Sequence, residues 1–289
     1  MAKYLITGGA GFIGSHLAKR LLELGQNVVI FDNFSTGRPE NVEGIEVVRG
    51  DIRDMGAIQK ATKGVDYVSH HAAQISVPKS IEEPFETMEI NDKGTLNMLI
   101  AAQENGVKKI TFSSSCAVYG DTKNLPITEN EPVKPLSPYA VSKLVGEYYL
   151  QVFAHLYGIE VTIFRYFNVY GDGQDPNSPY AAAIPIFKKL AEEKKPLKIF
   201  GDGSQTRDFI HVSDVVEANI KAFNLKTDAS PINIGTGTAI TIKQLALTIS
   251  SDVQYAQERE GDIKHSVANV SRAKKILQLV AKEKIHKNS

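Results

Sequence analysis

Apolar and polar residues follow two different patterns in the first 165 residues of the chain. Short apolar runs predict buried β-strands at residues 4–7, 27–31, 46–49, 65–70, 109–113 and 160–164. Longer amphipathic segments predict helices at residues 12–24, 85–105 and 137–157. Strands that alternate with helices in this way are typical of a parallel sheet with helices on both faces. The pattern therefore predicts an α/β fold built on a doubly wound parallel sheet.

After Arg165 the pattern changes to short elements separated by loops. A loop at residues 171–179 precedes a helix that runs to Lys195, and short strands are predicted at residues 199–200 and 209–211. Apolar residues 231–234 predict a return to the main sheet. We expect a main domain at residues 1–165, to which the chain returns around residues 206–235. Residues 166–289 should form mainly a smaller C-terminal lobe.

Composition excludes several classes of protein. Lysine plus arginine and aspartate plus glutamate both number 33, so there is no basic surface for nucleic acid. No apolar run is long enough to span a membrane, and residues 1–3 lead into a strand pattern rather than a signal peptide. Cys116 stands alone, which rules out an internal disulfide and a cysteine-based metal cluster and fits a reducing cytoplasm. We expect a soluble cytoplasmic protein without a metal.

A glycine-rich turn follows the first predicted strand and opens the first helix. Gly8, Gly11 and Gly14 let the backbone turn sharply and approach a pyrophosphate at the helix N-terminus. A phosphate-binding P-loop would need lysine at the position of Ser15. Asp32 ends the second strand, 18 positions after Gly14, where a carboxylate hydrogen-bonds the adenosine ribose. This spacing indicates a Rossmann domain that binds NAD rather than NADP, although the nearby Arg38 could blunt the preference.

Tyr139 and Lys143 lie four residues apart on the third predicted helix. They therefore share one face, with Ser137 as a plausible N-cap and Pro138 at the first helical position. Ionising a tyrosine at neutral pH costs about 4 kcal/mol. A cation about 5 Å away contributes roughly 3 kcal/mol at an effective dielectric constant of about 20. A nearby oxidised nicotinamide ring could supply the rest, so the phenol could act as a general base. The motif alone would favour a packed tyrosine and a solvated lysine; the glycine-rich turn upstream reverses that preference.

Three further polar positions follow predicted strands. Asp51 comes after the third strand and could contact an adenine or equally cap a helix. His70 and His71 end the fourth strand, and we interpret them as packing and hydrogen-bonding residues because no metal-ligand spacing accompanies them.

The chain resembles the extended short-chain dehydrogenase/reductase superfamily, especially nucleotide-sugar 4-epimerases, from Lys3 to about Leu277. The stretches that carry the resemblance are residues 7–17, 32–37, 50–53, 71–74, 112–120, 165–171 and 207–212. It implies that residues 1–165 bind NAD and that residues 166–289 mainly bind the substrate. It also implies a catalytic trio of Ser115, Tyr139 and Lys143. Ser115 has the alternative of capping the strand end, while Ser113 and Ser114 are expected to be structural.

The resemblance implies two sets of binding residues. Those expected to bind NAD are Gly8, Gly11, Phe12, Ile13, Gly14, Asp32, Asn33, Ser35, Thr36, Gly37, Asp51, Ile52, Ala72, Ala73, Gln74, Asn91, Tyr139 and Lys143. Those expected to bind a UDP-sugar substrate are Ser76, Ser115, Tyr139, Asn168, Arg207, Arg259, Asp262 and Ser266.

The expected reaction is epimerisation at C4 of a UDP-hexose, UDP-glucose or UDP-galactose, through a transient 4-keto sugar. Related dehydratases carry acidic residues where this chain has Cys116 and Ala117, so elimination is less well supported. Asn168 and Arg207 should contact the diphosphate, unless Arg207 pairs with Asp208 or Asp202. Alternatives for the whole chain are a nucleotide-sugar dehydratase or reductase, or an inert NAD-binding regulator.

The match weakens towards the C-terminus. Arg259 and Asp262 resemble a phosphate- and ribose-binding element of the family, but Glu260 replaces its proline. Arg259 has the alternative of a solvated charge among neighbouring glutamates. Ser266 is small and suggests room for an N-acetyl group on the sugar. The resemblance further implies a homodimer in which the helices at residues 85–105 and 137–157 pair between subunits.

Overall fold

A computed structural model describes residues 1–176, 183–258, 263–283 and 285. The strands are β1 Lys3–Thr7, β2 Asn27–Asp32, β3 Glu46–Arg49, β4 Tyr67–His70, β5 Lys109–Ser115, β6 Glu160–Tyr166, β7 Asn168–Tyr170, β8 Leu197–Phe200, β9 Thr206–Arg207, β10 Phe209–His211, β11 Ile232–Ile234, β12 Ile240–Thr241 and β13 Val253–Ala256. The helices are α1 Phe12–Glu23, α2 Met55–Ala61, α3 Val77–Glu82, α4 Pro84–Met88, α5 Gly94–Glu104, α6 Pro138–Tyr157, α7 Ala183–Glu192, α8 Val212–Phe223, α9 Ile242–Ile249 and α10 Ser271–Leu277.

The main sheet is parallel throughout, with strand order β11-β6-β5-β4-β1-β2-β3. This order confirms the predicted doubly wound α/β fold. The chain returns to the sheet through β11, whose Ile232 pairs with Phe164 of β6. The direction of progression reverses between β1 and β4, and a crevice forms outside the carboxyl ends of the strands at such a reversal. Ligand-binding residues are expected there.

Two apolar layers hold helices against the two faces of the sheet. On one face, Ile58, Met98 and Leu150 of α2, α5 and α6 pack against strand residues that include Leu5 and Ile110. On the other face, residues of α1 and α8 pack against β1 and β2. Among the described residues, no helix is both long and apolar enough to cross a membrane.

The predicted helix at residues 85–105 is interrupted. Helices α4 and α5 are joined by a π-helical turn at Glu89–Lys93, which buries Asn91. The wider turn shifts the positions that face inward, a feature often found near functional sites. The apolar pattern does not reveal it, because the residues on either side remain helical.

The C-terminal residues build a small apolar cluster of their own. Phe187 of α7 packs with Leu197 and Ile199 of β8 and Leu245 of α9. Strand β13 adds to β8 in parallel. Helix α7 ends at Glu192, earlier than the predicted Lys195. The division of the chain at residue 165 stays a prediction.

Candidate active site

The glycine-rich turn lies at the carboxyl end of β1 in contact with the chain after β4. Gly8 has φ +68°, and a Cβ there would lie 2.6 Å from the backbone nitrogen of Ala72. A Cβ on Gly14 would lie 2.5 Å from the Gly8 carbonyl oxygen. Gly11 caps α1 without a side-chain hydrogen bond. The three glycines thus place no side chain beside the first turn of α1, whose amides and positive dipole end suit a pyrophosphate.

Asp32 ends β2 beside this turn. Its carboxylate accepts hydrogen bonds from the backbone nitrogen of Ala10 at 2.9 Å and of Phe34 at 2.8 Å. These bonds fix the carboxylate at the sheet edge where a ribose is expected. Asn33 continues the edge and donates to the Asp51 carboxylate at 3.0 Å. The predicted nucleotide residues Asp32, Asn33 and Asp51 therefore do come together.

Two charged residues near this edge form ion pairs. Arg38 forms an ion pair with Asp175 at 3.0 Å, which links the loop after β2 to the loop after β7. Asp51 does not cap α2, since Asp54 accepts from the Ala57 amide there, so that alternative is wrong. Instead Asp51 accepts two hydrogen bonds from the Arg53 guanidinium, which hold the pKa of the Asp51 carboxyl well below its usual range.

Gln74 and Asn91 support the floor of the crevice. The Asn91 side chain accepts from the Gln74 amide at 2.7 Å and donates to the Gln74 carbonyl at 2.9 Å and to the Ser142 hydroxyl at 2.8 Å. It therefore links the chain after β4 to α6, one residue before Lys143. Their contact with NAD stays a prediction.

The predicted trio is assembled where β5 ends and α6 begins. Ser137 caps α6 by accepting from the Ala140 amide at 3.1 Å, and Pro138 is the first helical residue, as predicted. The ammonium of Lys143 lies 5.8 Å from the centre of the Tyr139 ring. Ser115, the last residue of β5, accepts a hydrogen bond from the Ala117 backbone nitrogen at 3.2 Å, and its side chain acts to lower the pKa of the nearby Tyr139 phenol. Geometry thus brings the three together.

Burial sets the protonation of the pair. It raises the pKa of Tyr139 to about 12, against the opposing effect of the Ser115 side chain. Burial also lowers the pKa of Lys143 to about 8, because a charged amine is disfavoured away from water. Burial therefore opposes the ionisation of the Tyr139 phenol that Lys143 and a nicotinamide ring are expected to favour, and that expectation stays a prediction. At pH 7 the phenol is a proton donor and the amine is charged.

His70 and His71 lie beneath Lys143 and are held by hydroxyl groups. His70 is bonded by Thr7 at 2.6 Å and Thr95 at 3.0 Å, and His71 by Ser69 at 2.8 Å and Ser113 at 2.6 Å. Both make the hydrogen bonds expected of them. Burial, helped by the charge of Lys143, lowers the pKa of His71 to about 3, so this ring is neutral.

The expected sugar side is partly in place. Ser266 is buried near the Cys116 thiol, whose pKa burial raises to about 11 against a smaller opposing effect of the Ser266 side chain. The Cys116 thiol also feels the charge of Arg207. Sequence reasoning did not identify Cys116 as part of the site, although it directly follows Ser115. A residue so placed after a catalytic serine is a signal that could have found it.

The other sugar-side residues have partners within the protein. Ser76 caps α3. Asn168 donates to the carbonyl of Asp208 at 3.1 Å, and an Arg207 nitrogen donates to the Thr206 carbonyl at 2.9 Å. The carboxylate of Asp208 accepts backbone hydrogen bonds from residues 236, 237 and 268. Arg259 and Asp262 lie outside the described residues.

A doubly wound sheet with a glycine turn, an acid at the end of β2 and a Ser–Tyr–Lys trio defines a short-chain dehydrogenase/reductase. More narrowly, the chain belongs to the NAD dependent epimerase/dehydratase family, whose profile matches residues 4–235. The residues present fit NAD, since three glycines keep side chains out of the turn after β1 and the Asp32 carboxylate is fixed where the resemblance places the ribose.

Known proteins resemble the chain over nearly its full length. A putative UDP-glucose 4-epimerase of Methanocaldococcus jannaschii is 43% identical over 282 residues, which cover 94% of this chain and 91% of that protein. The UDP-glucose 4-epimerase of Thermotoga maritima, solved with UDP-glucose, superposes with a TM-score of 0.95 at 36% identity and covers 99% of this chain and 95% of that one. A UDP-N-acetylglucosamine 4-epimerase of Methanobrevibacter ruminantium, in complex with UDP-N-acetylmuramic acid, gives 0.93 at 40% identity, with coverage of 98% and 93%.

Proposed function

We propose that this protein is an NAD-dependent UDP-hexose 4-epimerase that interconverts UDP-glucose and UDP-galactose through a transient 4-keto sugar. The observation that carries the proposal is the Ser115–Tyr139–Lys143 arrangement at the carboxyl edge of a Rossmann sheet. No carboxylate follows Ser115, where Cys116 and Ala117 stand, so an acid–base pair for elimination is missing from that segment. This favours epimerisation over dehydration.

Each member of the trio has a defined task. Tyr139 in its ionised form takes the proton from the sugar 4-hydroxyl and later returns it to the same oxygen. The Lys143 charge stabilises that phenolate, and the Ser115 hydroxyl donates to the oxygen on which charge develops. NAD, when bound, supplies the acceptor and then the donor of the C4 hydride. Net oxidation is zero, so no external reductant is needed.

The substrate residues are assigned by the family resemblance and by position. Asn168 and Arg207 would contact the diphosphate, for which a guanidinium is suited. Ser76 and Ser266 would line the sugar pocket, and Arg259 and Asp262 would contact the nucleotide. The small Ser266 beside Cys116 supports acceptance of N-acetylated sugars, as does the 40% identity to a UDP-N-acetylglucosamine 4-epimerase.

We further propose a homodimer in the cytoplasm. Helices α4 and α6 expose large apolar side chains in Phe85, Tyr148 and Leu156, which are 79%, 53% and 62% exposed. A second copy of the chain would cover them. Light scattering of the purified protein should then give twice the mass of the chain; a monomer mass would contradict this part of the proposal. The single Cys116 favours a reducing compartment.

The proposal is tested by incubating the purified protein with a panel of UDP-sugars without added reductant and resolving the products by NMR. Epimers at C4 are expected, and Tyr139→Phe should remove turnover while it leaves NAD binding nearly intact. A stable keto product would indicate a dehydratase instead. Full turnover by Tyr139→Phe would refute the mechanism.

A further inference from the structure

A buried ion pair lies directly behind the trio. The Arg165 guanidinium of β6 donates twice to the Glu147 carboxylate of α6, with Nε–Oε1 at 2.9 Å and Nη2–Oε2 at 2.7 Å. Glu147 is 1% exposed and Arg165 is 5% exposed. Burial works against the guanidinium charge, and the Glu147 bonds outweigh it and raise the pKa of Arg165. Such a pair is costly to place in a core and seldom adds net stability. Stability alone therefore does not explain why this ion pair is present.

The pair joins the elements that carry the catalytic side chains. Glu147 follows Tyr139 and Lys143 at helical spacing, so the three share a face of α6. Its carboxylate also accepts a hydrogen bond from Ser114, the residue before Ser115. Ser114 is the register partner of Arg165 across β5 and β6. One carboxylate thus fixes α6 to the ends of two adjacent strands.

Further contacts hold the guanidinium in place. Arg165 stacks over the Tyr119 ring at 4.7 Å, and the Tyr119 hydroxyl donates to Asn233 of β11 at 2.6 Å. Next to the pair, α6 approaches β5 closely, since a Cβ on Gly146 would lie 2.5 Å from the Phe112 ring. The polar contacts therefore fix one position of α6 along β5. Apolar packing alone would allow α6 to shift more easily.

We propose that Glu147 and Arg165 are positioning residues, which set the spacing of Ser115 on β5 against Tyr139 and Lys143 on α6. Because the two charges cancel, the ion pair can set this spacing without adding a net electrostatic field at Ser115, Tyr139 and Lys143. The inference rests on the proposed function, in which that spacing limits turnover.

Charge cancellation gives the proposal a distinctive signature. Among the described residues, the other titratable groups that act on Lys143 or Tyr139 are His70 and His71 at the end of β4 and Cys116 after β5. The acidic midpoint of the kcat–pH profile should report the ionisation of Tyr139, the proposed base. In Glu147→Gln the remaining guanidinium stays charged and favours the phenolate, so this midpoint should move to lower pH. In Arg165→Met, the remaining carboxylate should move it to higher pH. That shift should be smaller, because a carboxylate can take up a proton.

Kinetics of the single and double variants separate positioning from stability. We expect Glu147→Gln to lower kcat by about 10–100-fold with little change in KM, as a displaced catalytic group would. The double variant Glu147→Gln/Arg165→Met should regain the wild-type pH midpoint but keep a low kcat. The matched control is Lys109→Met, which removes a buried lysine paired with Glu160 at 3.6 Å at the opposite end of β5 and β6. It should leave kcat and the midpoint unchanged, whichever way it moves the melting temperature.

Two results would overturn the proposal: wild-type kcat in a folded double variant, or equal kcat and midpoint in Glu147→Gln and Lys109→Met. If Glu147→Gln does not fold, Ser114→Ala removes only the hydrogen bond between Glu147 and β5. This variant should lower kcat without a shift of the pH midpoint. Wild-type kcat in Ser114→Ala would refute the positioning role of Glu147. The pH dependence of NAD affinity, measured by calorimetry, should show the same opposite shifts. This measurement needs no turnover. An inactive wild-type protein would therefore refute the proposed function, while NAD affinity would still test the role of the ion pair.

Discussion

Replacing Lys143 by methionine should separate what this buried amine costs the fold from what it gives the reaction. Lys143 is 4% exposed, and burial lowers its pKa from 10.5 to about 8. At about 1.4 kcal/mol per pH unit, keeping the folded amine charged at pH 7 costs about 3 kcal/mol. Methionine fills a similar volume without charge. The variant should therefore unfold at higher denaturant concentration than the wild type at pH 7, although turnover is lost.

The sign of the pH dependence follows from the lowered pKa. Between pH 8 and pH 10.5 the unfolded chain binds more protons at this residue than the folded protein does, so wild-type stability rises with pH. By pH 9.5 only about 1.4 kcal/mol of the cost remains. The advantage of Lys143→Met should therefore shrink by about 2 kcal/mol between pH 7 and pH 9.5. This difference is independent of any change in packing, which is the same at both pH values.

Urea unfolding at both pH values measures this difference. Bound nucleotide is removed first, because a ligand that binds the folded state adds its own stabilisation. Tyr139→Phe serves as the control: burial raises the pKa of Tyr139 to about 12, so its phenol is neutral in the folded protein across this range. The control should follow the wild-type trend. If Lys143→Met shows the same pH trend as the wild type, the amine is not buried as the structure has it.

Three further outcomes are expected. Gly14→Ala should weaken NAD binding measured by calorimetry, because a Cβ would lie 2.5 Å from a backbone oxygen of the cradle; unchanged affinity would contradict the tight turn. Asp32→Ser should raise the affinity for NADP relative to NAD, since a fixed carboxylate repels a 2′-phosphate; an unchanged ratio would place the ribose elsewhere. The free energy of unfolding of the wild type should fall as pH drops from 6.5 to about 3, because in this range His71 stays neutral in the folded protein and takes up a proton in the unfolded chain. In urea unfolding, His71→Gln should lose less of this free energy between pH 7 and pH 4.5 than the wild type does.

Features that depend on neighbouring residues in the chain could be predicted from the sequence. The strand and helix alternation gave the parallel sheet, and the Ser137–Pro138 start of α6 was read from capping preferences. The glycine turn was placed correctly because its constraint is local: Gly8 needs a left-handed backbone and Gly14 a missing side chain. Parallel strands then bring their carboxyl ends to one edge whatever the side chains are.

Features that depend on contacts between distant residues could not be predicted. The ion pair between Arg38 and Asp175 spans 137 positions, and nothing in either local sequence indicates the partner. The Cys116–Ser266 contact is similar. The sequence shows a cation near Tyr139 but not the depth of burial, which raises the pKa of the phenol in the protein alone. A Coulombic gain of about 3 kcal/mol is offset when both groups leave water.

The surroundings of Lys143 show how the two neighbouring histidines stay uncharged. Burial, and to a smaller extent the Lys143 ammonium, depresses the pKa of the His70 and His71 rings. Their hydrogen-bond partners are hydroxyls of serine and threonine, which can donate or accept. Carboxylates in those positions would favour imidazolium and place further cations beside Lys143, where they would compete with it for the phenolate. Hydroxyl partners avoid this, so the neutral rings fill the floor of the crevice and Lys143 supplies the positive charge next to Tyr139.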